Sequence, residues 1–110
     1  MEEIVAAIEN GKQRGSSRSL ERDGTTYWCD AAIQKHDGQY KAHVSVIREE
    51  NMTCEEFEIF FTRGFSDLQG AIDCVNSNGE IRFDEFAVLR GQRIFNPVFA
   101  EENEDASPQD

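Results

Sequence analysis

Between residues 29 and 61 apolar and polar side chains alternate. Cys29, Ala31 and Ile33 are offset by Asp30 and Gln34, and Tyr40, Ala42, Val44 and Val46 by Lys41, His43 and Ser45. A period of two is the mark of a strand with one buried face. Asp37-Gly38, between the two runs, is the dipeptide of a two-residue hairpin turn. Closing that turn sets Cys29 opposite Val46, Ala31 opposite Val44 and Ile33 opposite Ala42. The other face then carries Asp30, Gln34 and His36 against Ser45, Lys41 and Gln39. A one-residue slip would mix the faces, so the pattern predicts its own register. A second turn over Glu49-Glu50-Asn51-Met52 would bring Phe57, Ile59 and Phe61 beside Val44, Ala42 and Tyr40. Glu56 and Glu58 would then lie beside Ser45 and His43 on the polar side. Asp23-Gly24 is a further hairpin signal.

The apolar face needs a cover. Leu68, Ala71, Ile72 and Val75 recur at helical spacing after Ser66, which is read as a cap with Gln69 three residues on. Asn78-Gly79 predicts a left-handed stop. Gly70, inside the helix, suggests a close approach to the sheet. Residues 2–10, with Ile4 and Ile8 four apart, predict a short helix. Lys12 to Ser19, rich in Gly, Ser and Arg, predicts a flexible connection. Ile81 and Phe83 alternate like a short strand, Phe86 to Arg90 allow a short helix, and Arg93 to Pro97 read as extended. The expected fold class is α+β: a three- or four-stranded antiparallel meander with a helix packed on one face, in the order helix-strand-strand-strand-helix. Residues 1–100 form one domain, and 101–110 form a disordered acidic tail.

Charge sharpens this picture. The chain of 110 residues carries a net −11, and five of its acids fall in the last ten positions. The first hundred residues thus hold eleven bases against seventeen acids, a net −6. Such a surface repels nucleic-acid phosphates and anionic membranes and attracts basic partners. No apolar run is long enough to span a bilayer, and the start, Met1 to Val5, lacks the basic flank of an export signal. Cys29, Cys54 and Cys74 are odd in number and widely spaced, which fits reduced thiols and a cytoplasmic location.

Two partial resemblances have functional content. Asp73 to Phe86 resembles the calcium loop of the EF-hand family: Asn76 and Asn78 fall on ligand positions 3 and 5 ahead of Gly79, and Glu85 on position 12. Position 1 is Cys74, a soft thiol, and Asp73 would replace it only in a loop one residue longer. The resemblance implies calcium held by Asp73, Asn76, Asn78 and Glu85. The element order is similar to that of double-stranded RNA-binding domains, whose second helix begins with bases. Ser66-Asp67-Leu68-Gln69 is acidic there, so no RNA binding is expected.

No nucleophile–base pair and no C-x-x-C zinc spacing occurs among Cys29, Cys54, Cys74, His36 and His43, so no catalytic site and no cofactor are expected. His43 is expected to face outward, paired with Glu58 across the strands. By the same parity Trp28, Ile47 and Phe60 lie on the polar face, with Trp28 opposite Ile47. They form an aromatic patch rimmed by Asp30, Glu56 and Glu58. The expected function is therefore a non-catalytic protein-interaction module with Trp28 as its anchor, and calcium binding is the alternative.

Overall fold

A computed structural model describes residues 2–100 and includes a five-stranded antiparallel sheet. The elements run α1 (Glu2–Glu9), β1 (Arg14–Arg22), β2 (Thr25–His36), β3 (Gln39–Arg48), β4 (Phe57–Phe65), α2 (Leu68–Asn78), β5 (Ala87–Val88) and α3 (Pro97–Ala100). In space the strands lie in the order β4-β3-β2-β1-β5. The fold is α+β, as the sequence predicts, with a wider sheet and four consecutive strands between the first two helices. The acidic tail from 101 to 110 lies outside the described residues.

The β2–β3 hairpin has the predicted register residue for residue, from Trp28 opposite Ile47 to His36 opposite Gln39. Asp37 and Gly38 both take positive φ, 56° and 81°, the twist that matches a two-residue hairpin to its strands. Asp23 and Gly24 form the same turn, and through it the expected flexible connection becomes β1, paired with β2 from Arg14–Ile33 to Arg22–Thr25. Composition misleads here because β1 is stabilised by its partner more than by β propensity. A further tie is electrostatic. Arg18 meets Glu85 at 3.0 Å and Arg22 meets Glu80 at 3.1 Å, tying the segment after α2 beside β1.

The β3–β4 connection departs from expectation. It spans Glu49 to Glu56 and contains a 3-10 turn at Glu49–Asn51, so Phe61 faces Val44 and Ile59 faces Val46. The slip of four residues is even, so Ile59 and Phe61 keep their predicted face. Phe57 does not. A bulge between Val46 and Ile47 adds a residue on β4 and turns Phe57 to the opposite side, beside Phe60.

Both longer helices pack on the predicted apolar face. Ile8 of α1 and Ala71, Cys74 and Val75 of α2 join Cys29, Ala31, Ile33, Ala42 and Val44 in one buried cluster. Asp67, not Ser66, caps α2: its carboxylate accepts from the Gly70 N–H at 2.8 Å. Gly79 ends the helix with φ −117°, extended and not left-handed. Its small size serves a close approach instead, because a Cβ there would lie 2.8 Å from Val44 Cγ1. Ile81 and Phe83 are core residues beside a 3-10 turn at Phe83–Glu85 and not a strand. The expected helix over Phe86–Arg90 is replaced by β5, paired with Arg14 and Gly15.

The second face of the sheet is not fully wet. Residues 94–97 return across it, held by Gln13. The Gln13 amide donates to Phe95 O at 2.9 Å and to Gln34 Oε1 at 2.8 Å, and its carbonyl accepts from Ile94 N at 2.7 Å. Gln34 in turn donates to Gly11 O at 3.0 Å. Gln13→Ala would strand the Ile94 N–H and the Phe95 carbonyl, so it is expected to cost about 2 kcal/mol. Faster amide exchange at Ile94 and Phe95 than in the parent would check this.

Candidate functional site: an aromatic patch on the second face

The patch begins with alternation and is completed by the bulge. Trp28 on β2 faces Ile47 on β3, and Ile47 faces Phe57 on β4. The rings of Phe57 and Phe60 lie 4.7 Å apart. Trp28 is 41% exposed, Phe57 40% and Phe60 58%, while Ile47, at 7%, is their buried floor. Three large aromatic side chains thus stay partly in water on a sheet whose backbone is rigidly paired. Trp28 Nε1 donates to Glu49 Oε1 at 3.3 Å, so an acidic side chain already holds the polar edge of the indole.

Behind the patch lies a second aromatic layer. The His43 ring meets Phe60 edge-on, with centroids 5.2 Å apart, and stacks on Phe95 at 5.2 Å with the planes only 9° from parallel. His43 is buried, and its Nδ1 is 2.8 Å from Thr62 Oγ1. It faces Thr62 and not Glu58, as the shifted register requires. Burial pushes its pKa down from 6.5 to about 4, against the nearby Asp30 carboxylate, which favours the charged form. Asp30 itself accepts from the Ser17 hydroxyl and, at 3.3 Å, from Ser45 Oγ.

The rim differs from expectation. Glu58 is the residue displaced at the bulge: it lies 3.2 Å from Arg48 Nε and lines a 270 Å³ crevice with Leu20, Tyr27, Val46 and Ile59, residues packed on the helix-side core. It does not border the patch. Glu56 is exposed in the loop before β4, next to Glu55, while Glu49 and Glu50 occupy the loop's other end. Phe57 and Phe95 are the residues that sequence reasoning misses. An apolar residue flanked by acids at the start of a strand is the available signal for Phe57, and it cannot reveal a bulge.

The other sequence candidates are already engaged. Asp73, Asn76 and Asn78 sit in α2 and not in a loop. Asp73 Oδ1 accepts from Gln69 at 2.9 Å, Asn76 Oδ1 accepts from Phe83 N at 2.8 Å, and the Asn78 amide donates to Cys74 O at 2.8 Å. Glu85 is paired with Arg18, which holds its carboxyl below the usual carboxylate range. Each of the four thus already makes a hydrogen bond or ion pair within the fold. Among the described residues no group of three or more His, Cys, Asp or Glu is placed to hold a metal. Millimolar calcium is expected to leave the melting temperature unchanged, whereas a ligand of the folded state at a hundredfold excess over Kd would add about 2.7 kcal/mol. Cys29 and Cys74 are buried, and burial pushes both thiols up, away from the reactive thiolate. Cys54 is exposed, with Sγ 3.3 Å from Asn51 O. No helix among the described residues is long and apolar enough to cross a membrane.

No protein-family model, curated protein or solved structure matches the chain.

Proposed function

We propose that the chain is a non-catalytic interaction module that docks another protein on the patch of Trp28, Phe57 and Phe60. The carrying observation is that three exposed aromatic side chains flank a buried Ile47 on one face of three successive strands: Trp28 on one side, the Phe57–Phe60 ring pair on the other. Scattered apolar residues on a surface need no explanation, but a Trp and a pair of Phe rings gathered around one buried residue of a paired sheet have the composition of an interaction hot spot. Aromatic side chains give large contact area at small entropic cost, and Phe60 is backed edge-on by the His43 ring, itself stacked on Phe95.

Charge selects the partner's chemistry. Glu49, Glu50, Glu55 and Glu56 lie in the loop between β3 and β4, and the whole chain carries −11. An apolar anchor flanked by Lys or Arg complements this surface, and nucleic-acid phosphates or anionic lipids do not. The reading includes no cofactor and places the protein in the cytoplasm, where its thiols stay reduced.

The test compares partners retained by the immobilised full chain with those retained by Trp28→Ala and Phe60→Ala variants. Val88→Ala, also exposed but at the opposite edge of the sheet, is the control. The expected result is a basic protein retained by parent and control, lost by both patch variants and released by salt. A retained set identical for all four proteins would reject the patch as the docking site. Titration with the purified partner should also shift Trp28 emission to the blue.

A further inference from the structure

The two edges of the sheet are not alike. At one edge β5 pairs with Arg14 and Gly15, and Arg18 and Arg22 hold the segment around Glu80 and Glu85 alongside β1. At the other, β4 is the last strand, and among the described residues no backbone group pairs with its outer side. β4 has nine residues, Phe-Glu-Ile-Phe-Phe-Thr-Arg-Gly-Phe, with one acid, one base and no proline. A long apolar edge of this kind is a template for another strand unless something blunts it. Among the described residues it is blunted by the bulge and Glu58 at its start and by the exposed Arg63, and Ile59 to Phe65 stay in regular pairing geometry.

We infer that β4 is a self-association edge: a second copy of the chain adds its own Ile59–Phe65 segment antiparallel to the first, joining the two sheets into one. A two-fold axis at Thr62, the midpoint of the regular run, makes the strand its own complement. Phe61 then lies opposite Arg63 of the second copy, Ile59 opposite Phe65, and Phe60 opposite Gly64. Ile59 and Phe65 then pair as apolar neighbours, Gly64 leaves room for the Phe60 ring, and Phe61 meets a cation that favours its ring face. Arg63 already lies over the Phe61 ring of its own strand, 4.2 Å from the centroid, and the axis repeats that contact between copies. Moving the axis to Phe61 would set Ile59 against Arg63 and lose both matches. This inference goes beyond the docking reading and does not depend on it: Trp28 and Phe57 stay open on the second face.

The sign of the salt effect separates the two. Copies with a net −6 over their first hundred residues repel one another, so salt should strengthen self-association and weaken the capture of a basic partner. Sedimentation of the full chain from micromolar to near-millimolar concentration, at low and high salt, is the direct test. The expected result is a monomer–dimer equilibrium that tightens with salt, with alternate amides of 59–65 protected at high concentration and released on dilution. Ile59→Lys puts a charge on the pairing strand and is expected to weaken the dimer at least about tenfold. Arg63→Glu, on an exposed side chain, serves if that variant does not fold. A monomer under all conditions would overturn the inference. So would a dimer in which the 59–65 amides exchange as in the monomer, or one lost with Trp28→Ala but kept with Ile59→Lys.

Discussion

Acidification from pH 6.5 to about 4 is expected to cost the fold about 3 kcal/mol through His43 alone. The folded protein holds this imidazole neutral, buried between Phe60 and Phe95 with Thr62 on its Nδ1. The unfolded chain binds a proton there near pH 6.5 and the folded chain only near pH 4. Over that window the unfolded state carries more protons, so stability falls as pH falls. Above 6.5 both states are neutral and the contribution is fully present; below about 4 both are charged and the loss is complete. The Asp30 carboxylate is the acid that moderates the shift, and its pull is smaller than the cost of burial. Urea unfolding at a series of pH values measures the effect, with His43→Phe as the comparison. The variant keeps a ring between Phe60 and Phe95 but leaves the Thr62 hydroxyl without its partner, about 1 kcal/mol at neutral pH. Its pH profile should be flatter than the parent's by about 3 kcal/mol, so that it becomes the more stable protein below about pH 5 to 6. Parallel profiles would mean that His43 is already charged or already wet.

The substitution expected to do most damage is Gly15→Ala. Gly15 is buried in β1 between Ala32 of β2 and Ala87 of β5. A Cβ on it would overlap the Ala31 carbonyl oxygen and lie 2.7 Å from Ala32 Cβ and 2.8 Å from Ala32 Cα. None of these atoms is the end of a flexible side chain, so relief requires β1 to move away from β2. That movement would disturb β5 and the Gln13 clamp, which sits two residues away and holds Ile94 and Phe95. The expected loss is about 3 kcal/mol, read as a lower urea midpoint with an unchanged m-value. Gly24→Ala separates crowding from backbone strain. Gly24 has φ +79° with nothing near its missing Cβ, and its replacement should cost only about 1–2 kcal/mol.

Legibility followed the range of the forces involved. The β2–β3 hairpin could be read because one turn and its two flanking strands lie within twenty-odd neighbouring positions, and Asp37-Gly38 determines how they meet. The α2 stripe could be read for the same reason, although the cap moved one residue, from Ser66 to Asp67. β4 was harder. Its loop has no Gly or Pro to mark a turn, and Glu55 adopts a left-handed φ of 57° without the residue type that usually signals it. Ile59 and Phe61 kept their face because the error was even, and Phe57 changed sides because a bulge is odd. That single extra residue decides the site: it adds Phe57 to the patch and sends Glu58 to Arg48 on the other face. β1 escaped a reading based on Ser, Gly and Arg because those residues are selected there for what β2 and the Glu80–Glu85 segment require.

By itself, the chain determined which residues alternate, which recur at helical spacing and where two tight turns fall, since these depend on neighbours along the backbone. Tertiary structure alone decided the rest: the strand beside β2, the segment that dries His43, and the aromatic side chains left in water. Those outcomes depend on contacts between positions far apart in sequence, such as Gln13 with Phe95 and Arg18 with Glu85. No local pattern specifies them, because either partner alone is an ordinary polar or apolar residue until folding brings the other within reach.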